Sequence, residues 1–102
     1  MNSKALRNSA RGQDCTLQIA GVCNYNPETT VLAHLPDESH GMGHKADDIS
    51  AAFACSSCHD CIDGRHTVKL TGEDREFYLR RGQTRTLRHW VDAGLVTVKG
   101  AA

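Results

Sequence analysis

The chain has 102 residues, with twelve basic and twelve acidic side chains, so its formal charge at pH 7 is zero. That length is one domain, residues 1–102, and the charge balance gives no argument for nucleic acid from composition alone. The start, MNSKALRNSARGQDC, lacks the apolar run of a secretory signal, and no stretch approaches the roughly 20 apolar residues of a membrane span. The expected compartment is a reducing cytoplasm, where cysteines serve metals or catalysis more often than disulfides. Five cysteines cannot all pair internally, six histidines accompany them, and aromatics are only 5%. A small domain with so thin a core gains most from a bound metal.

In chain order, residues 3–11 predict a short helix stopped by Gly12. CTLQIAGVC, residues 15–23, alternates at Cys15, Leu17 and Ile19 before an Ala20-Gly21 turn and predicts a short hairpin. NYNPETT is turn material around Pro27, and TTVLAHL predicts a second strand ending near His34. PDESHGMGHK, with Pro, two Gly and two His, reads as a loop. DDISAAFA predicts a helix with Asp47 or Asp48 as N-cap, and SSCHDCID a second helical segment closed by Gly64. Thr71, followed by Gly72, Glu73 and Asp74, resembles a capping box and predicts a helix over about 72–92, stopped by Gly94. Phe77, Leu87, Trp90 and Val91 would form its apolar stripe, and LVTVK reads as a terminal strand. The fold class is a small α+β domain.

The stretch FACSSCHDCIDGRH, residues 53–66, admits three chemistries. CSSCH matches the haem-attachment signature with His59 as axial ligand. That attachment occurs outside the cytoplasm, and the aromatic shell a haem needs is thin here. A redox dithiol would follow a strand in a βαβ unit, whereas the flanks are helical. A zinc site uses more of the chain. Cys15 and Cys23 form one ligand pair and Cys55 and Cys58 another, and together they could close on one tetrahedral ion. Cys61 is then a spare thiol. On a helix, neighbours differ by about 100°, so His59 points away from the sulfurs. It is either a hydrogen-bonded surface histidine or a ligand of a second, catalytic metal.

Charge is unevenly placed. Phe77 to Val91 holds four arginines and no acid, whereas Asp37 to Asp63 holds six acids against one lysine, an arrangement that suits a divalent cation. Arg81, Arg85 and Arg88 share one helical face and could neutralise phosphates without reading sequence. Arg7 and Arg11 sit similarly on the first segment. The plain alternative is a solvated face balanced by Glu73, Asp74 and Glu76.

Taken together, ARGQDC, GVCNYNPETTVLAHL, GMGHKADD and ACSSCHDCIDGR resemble the HNH, or ββα-metal, nucleases, and more closely the small phage- and prophage-encoded nucleases of the YbcO type. The resemblance covers most of the chain. It implies a zinc-braced ββα-metal domain with flanking helices, hydrolysing phosphodiester bonds, with DNA the expected substrate. By that resemblance His34 matches the general base, and His59 the final histidine that binds the catalytic metal. Asp48 lies near the position where many such proteins have asparagine, and Cys15, Cys23, Cys55 and Cys58 match the structural zinc ligands. Many HNH sites carry Asp or His just before the base, where this chain has Ala33. The catalytic Mg²⁺ or other divalent ion would then draw on His44, Asp47, Asp48, Asp60, Asp63 or water, with His40 and His44 otherwise plain loop residues. A phage recombination or replication protein is the expected partner. The rival function is a zinc-braced nucleic-acid- or protein-binding module without hydrolysis.

Overall fold

Alanine is the best helix former, yet three alanines build the inner strand of this protein. In the computed structural model, described for residues 2–36 and 47–100, Val31–His34 (β1) pairs antiparallel with Ala51–Ala54 (β2). Val31 faces Ala54 and His34 faces Ala51. The helix expected over DDISAAFA is therefore a correction, and its cause is tertiary. All four β2 residues are buried, and successive side chains of a strand point to opposite faces. Ala52 and Ala54 enter a cluster with Leu17, Ile19, Cys55, Cys58 and Leu79. Ala51 and Phe53 enter a second cluster with Leu6, Ala10 and Trp90. A segment buried on both faces follows its packing rather than its propensity.

Among the described residues, three helices surround this sheet: Lys4–Ser9 (α1), Ser56–Ile62 (α2) and Gly72–Asp92 (α3). A single turn of 3-10 helix, Pro27–Thr29, leads into β1. Thr71 caps α3 as expected, its hydroxyl accepting from the Asp74 amide at 3.1 Å. The expected stripe of α3 holds at Trp90, which is fully buried, and at Leu87, which packs partly buried against the Trp90 cluster, but not at Phe77 and Val91, which are exposed. Leu79, Gly82 and Thr86 complete the buried face. The face is polar in part because Thr86 serves the sheet: its hydroxyl accepts from the Phe53 amide at 3.0 Å. Thr16 donates its own N–H and hydroxyl to the Phe53 carbonyl, at 2.8 and 2.9 Å. The outer edge of β2 at Phe53 is thus closed by two threonines. Trp90 ties α3 to α1 by donating Nε1–H to Ser9 Oγ at 2.7 Å.

Two further expectations are corrected. Residues 15–23 form turns, not a hairpin: Ile19 C=O accepts from both Val22 and Cys23, and Gln18 and Gly21 have positive φ. Their apolar alternation reflects Leu17, Ile19 and Val22 turning into the core while Cys15 and Cys23 converge. After α3, LVTVK forms no strand. Gly94 adopts φ 76° and the amides of Leu95 and Val96 return to the Trp90 carbonyl.

The approach of α3 to β2 depends on Gly82. A Cβ there would collide with the Leu17 side chain, which is fully buried, and would lie 3.2 Å from Ala52 Cβ. Replacing a helical glycine by alanine ordinarily gains about 1 kcal/mol, whereas overpacking a core costs about 1–3 kcal/mol. Gly82→Ala should therefore destabilise, lowering the melting temperature by a few degrees in a calorimetric scan. An increase would mean that Leu17 repacks freely.

Candidate functional site

Four thiols meet where the 15–23 turns, the end of β2 and the start of α2 come together. The Sγ atoms of Cys15, Cys23, Cys55 and Cys58 all lie within 4.8 Å of one another. Cys55 and Cys23 are 3.8 Å apart, which matches the edge of a tetrahedron with metal–sulfur bonds of about 2.3 Å. Backbone amides orient them: Gln18 N–H points at Cys15 Sγ, and Cys58 N–H at Cys55 Sγ, the side chain that caps α2. The Cys58 thiol hydrogen-bonds to Cys15 and, against burial, holds Cys15 down to about 5. The same bond, with burial, pushes Cys58 up, and burial pushes Cys23 up to about 11. A metal bound among them would displace the thiol protons. Donor type, spacing and burial all suit a metal ion such as zinc. Cys61 stands outside the group; it is buried, its thiol faces the Val68 carbonyl at 3.6 Å, and burial pushes its pKa up.

A second constellation lies at the far end of β1. His34 Nε2 is 2.7 Å from Asp48 Oδ1. Asp48 is 2% exposed and both of its oxygens are engaged, since Oδ2 accepts from the Ser3 amide and from Arg7 Nη1 at 3.3 Å. It is thus no helix cap, as the sequence suggested, but the anchor that fastens α1 beside His34. Burial works to raise the Asp48 pKa, but the Ser3 amide, His34 and Arg7 outweigh it and hold the carboxyl below its ordinary value near 3.8. A carboxyl more acidic when folded than when unfolded adds stability above its unfolded value, and that stability is lost as pH falls through the folded one. In urea titrations from about pH 5 downwards, the midpoint gap between wild type and Asp48→Asn should shrink below about pH 3.8 and close at lower pH. A gap independent of pH would contradict this role.

The structure does not bring every sequence candidate together. The His34 end of the two paired four-residue strands and the α2 end are about 10 Å apart along the strands. His59 pairs instead with Asp63 on its own helix, Nε2 to Oδ2 at 3.2 Å, and Asp63 and Asp60 also hold Arg65. Among the described residues, the four thiols are the one group of three or more close metal-ligand side chains. His40 and His44 lie outside the described residues. Ala33 is fully buried in the core, so its position could offer no ligand toward His34's side of the strand. Arg81 is bound to the protein itself: it donates to the carbonyls of Leu17 and Gln18 and lies over the Phe77 and Tyr78 rings. Arg85 reaches Gln18 Oε1 at 3.3 Å. Arg80, Arg81, Arg85 and Arg88 border a cavity of about 510 Å³ on the outer face of α3. The Asp48–Ser3–Arg7 link was missed by sequence reasoning. The one signal for it was an acid three residues before an apolar strand with no helix to cap.

The arrangement defines a small α+β domain in which four cysteines form a potential metal centre at one end of the sheet, with a part-exposed His34 held by a buried Asp48 at the other. The family described as "Putative nuclease YbcO" matches residues 4–95, and the chain belongs to that family. It is 45% identical over 92 residues to "Putative nuclease YbcO" of Escherichia coli strain K12, covering 89% of this chain and 95% of the relative. The "Putative nuclease ybcO" of Enterobacteria phage 82 gives the same values. The solved "Structure of a putative bacteriophage protein from Escherichia coli str. K-12 substr. MG1655" has a TM-score of 0.72 and 38% identity, covering 88% of this chain and all of that one.

Proposed function

We propose that this protein is a metal-dependent endonuclease of the HNH type, a single domain over residues 1–102, with DNA as substrate. The observation that carries the reading is the His34–Asp48 pair. A carboxylate can only accept a hydrogen bond, so Asp48 fixes the His34 proton on Nε2 and leaves Nδ1 to accept one. In hydrolysis, Nδ1 takes a proton from water as the water oxygen bonds to phosphorus. The bond from phosphorus to the 3′ oxygen breaks, and that oxygen is protonated from solvent. Arg7, held beside the pair by Asp48, partly neutralises the phosphate. A bound Mg²⁺ or similar ion would polarise the phosphate and stabilise the leaving oxygen. Outside the thiol cluster, the described residues offer His59 with Asp63 as a ligand pair, and Asp48 acts through His34.

Zinc is the proposed occupant of the four thiols. Its role there is structural, because four protein ligands complete its coordination and leave no open position for substrate. Arg88, Arg85 and the outer edge of Arg81 are proposed to meet the DNA backbone. A phage recombination or replication protein is the proposed partner and a reducing cytoplasm the proposed compartment. The family name and the β1–β2–α2 order support this reading over a binding module with the same cysteines. The test is nicking of supercoiled plasmid by zinc-loaded protein with Mg²⁺, Mn²⁺ or Ni²⁺. Metal-dependent nicking supports the enzyme, whereas plasmid binding without nicking under every condition would favour the binding module.

A further inference from the structure

Beside His34, the wall between α1 and β1 is hollow. A cavity of about 220 Å³ is lined by Arg7, Arg11, Thr30 and His34, with Ala10 after α1 and Val31 and Leu32 of β1 completing it. No carboxylate lines it; the nearby acid, Asp48, is already engaged by Ser3, Arg7 and His34. Arg11 makes no side-chain hydrogen bond or ion pair among the described residues. The Thr30 hydroxyl is buried and has no hydrogen-bond partner among the described residues, which is rare for a buried polar group and costly to keep.

We propose that this cavity seats the scissile phosphate, with Arg11 as its anchoring cation and Thr30 as a hydroxyl donor. The assignment rests on the hydrolytic reading of His34 and deepens it by naming the ligand's chemistry. Arg7 and Arg11 bring two positive charges and Asp48 removes one, so the seat presents a single net positive charge. That matches an internal phosphodiester, which carries one negative charge, better than a terminal phosphate, which carries close to two. Arg11 is exposed and Arg7 half-exposed, so a phosphate can reach both without dismantling the core. Thr30 retains its buried hydroxyl because the hydroxyl rotates to donate once the phosphate is in place.

Binding of a fluorescein-labelled 12-base-pair DNA duplex, without divalent ion and across a salt series, tests this together with plasmid nicking. Arg11→Ala should weaken binding and kcat/KM about tenfold and reduce the slope of log affinity against log salt by about one phosphate contact. Arg11→Lys should restore the slope but not the full cleavage rate, because the guanidinium fork is lost. Thr30→Val should lower kcat/KM severalfold while leaving the melting temperature unchanged or higher, since it removes an unpaired hydroxyl. A purely structural threonine would instead lose stability. If Arg11→Ala binds and cleaves like wild type while His34→Ala is inactive, the seat is wrong and the nuclease reading stands. If the salt slope falls in Arg11→Ala but no variant, wild type included, cleaves DNA, the seat stands and the hydrolytic reading falls. Absence of salt-dependent binding by wild type overturns the seat outright.

Discussion

His34→Ala should reduce plasmid nicking by about 10²- to 10⁴-fold, the usual loss when a general base is removed. DNA binding and zinc content should be unchanged. The side chain is part-exposed at the end of β1, and its one described polar partner is Asp48, so its removal opens no core cavity. Asp48→Asn is the sharper companion. An amide in place of the carboxylate can donate to Nε2 and drive the histidine proton onto Nδ1, where the base is needed. A loss approaching that of His34→Ala, with KM nearly constant, would assign Asp48 to orientation and not to substrate binding. Full activity in both variants would remove the His34–Asp48 pair from the mechanism.

Cys58→Ser should unfold the domain at ordinary temperature, and a strong chelator should do the same to wild type. Structural zinc contributes about 10–16 kcal/mol in small zinc-finger peptides, as much as the whole stability of about 5–15 kcal/mol typical of a domain. Here the ion would tie the 15–23 turns to the junction of β2 and α2, adding to the Thr16–Phe53 hydrogen bonds and the shared apolar cluster that already join them. Without it, four sulfurs within 4.8 Å of one another would have no common partner. Cys61→Ser is the control; it replaces a thiol outside the cluster, and the expected cost is about 1 kcal/mol. Circular dichroism melts with zinc stoichiometry read both effects. A Cys58→Ser protein that melts like wild type would show that the four thiols do not brace the fold.

What was legible in the sequence followed local chemistry. The 21-residue α3 with its Thr71 cap, the short α2 opened by Cys55, and β1 ending at His34 are set by caps, turns and β-branched residues within a few positions. The convergence of four cysteines was legible from their pairing alone. What was not legible depends on contacts between distant segments. Ala51–Ala54 reads as helix until α3 and α1 cover both its faces, and Leu17 and Ile19 read as strand until Arg81 clasps the carbonyls beside them. The partnership of Asp48 with Ser3 spans 45 positions, and no periodicity signals such a pair. Helical spacing puts Arg81, Arg85 and Arg88 on one face, but it gives no sign that Arg81 also donates to the carbonyls of Leu17 and Gln18.

The two threonines that close β2 at Phe53 also limit how copies of the protein can associate. A sheet grows when an incoming strand finds unpaired amides and carbonyls at its border. Here Thr16 and Thr86 already occupy those groups at the centre of β2, so strand addition is confined to the β1 border. Among the described residues, two molecules pairing through that one border on each would close on themselves as a symmetric dimer.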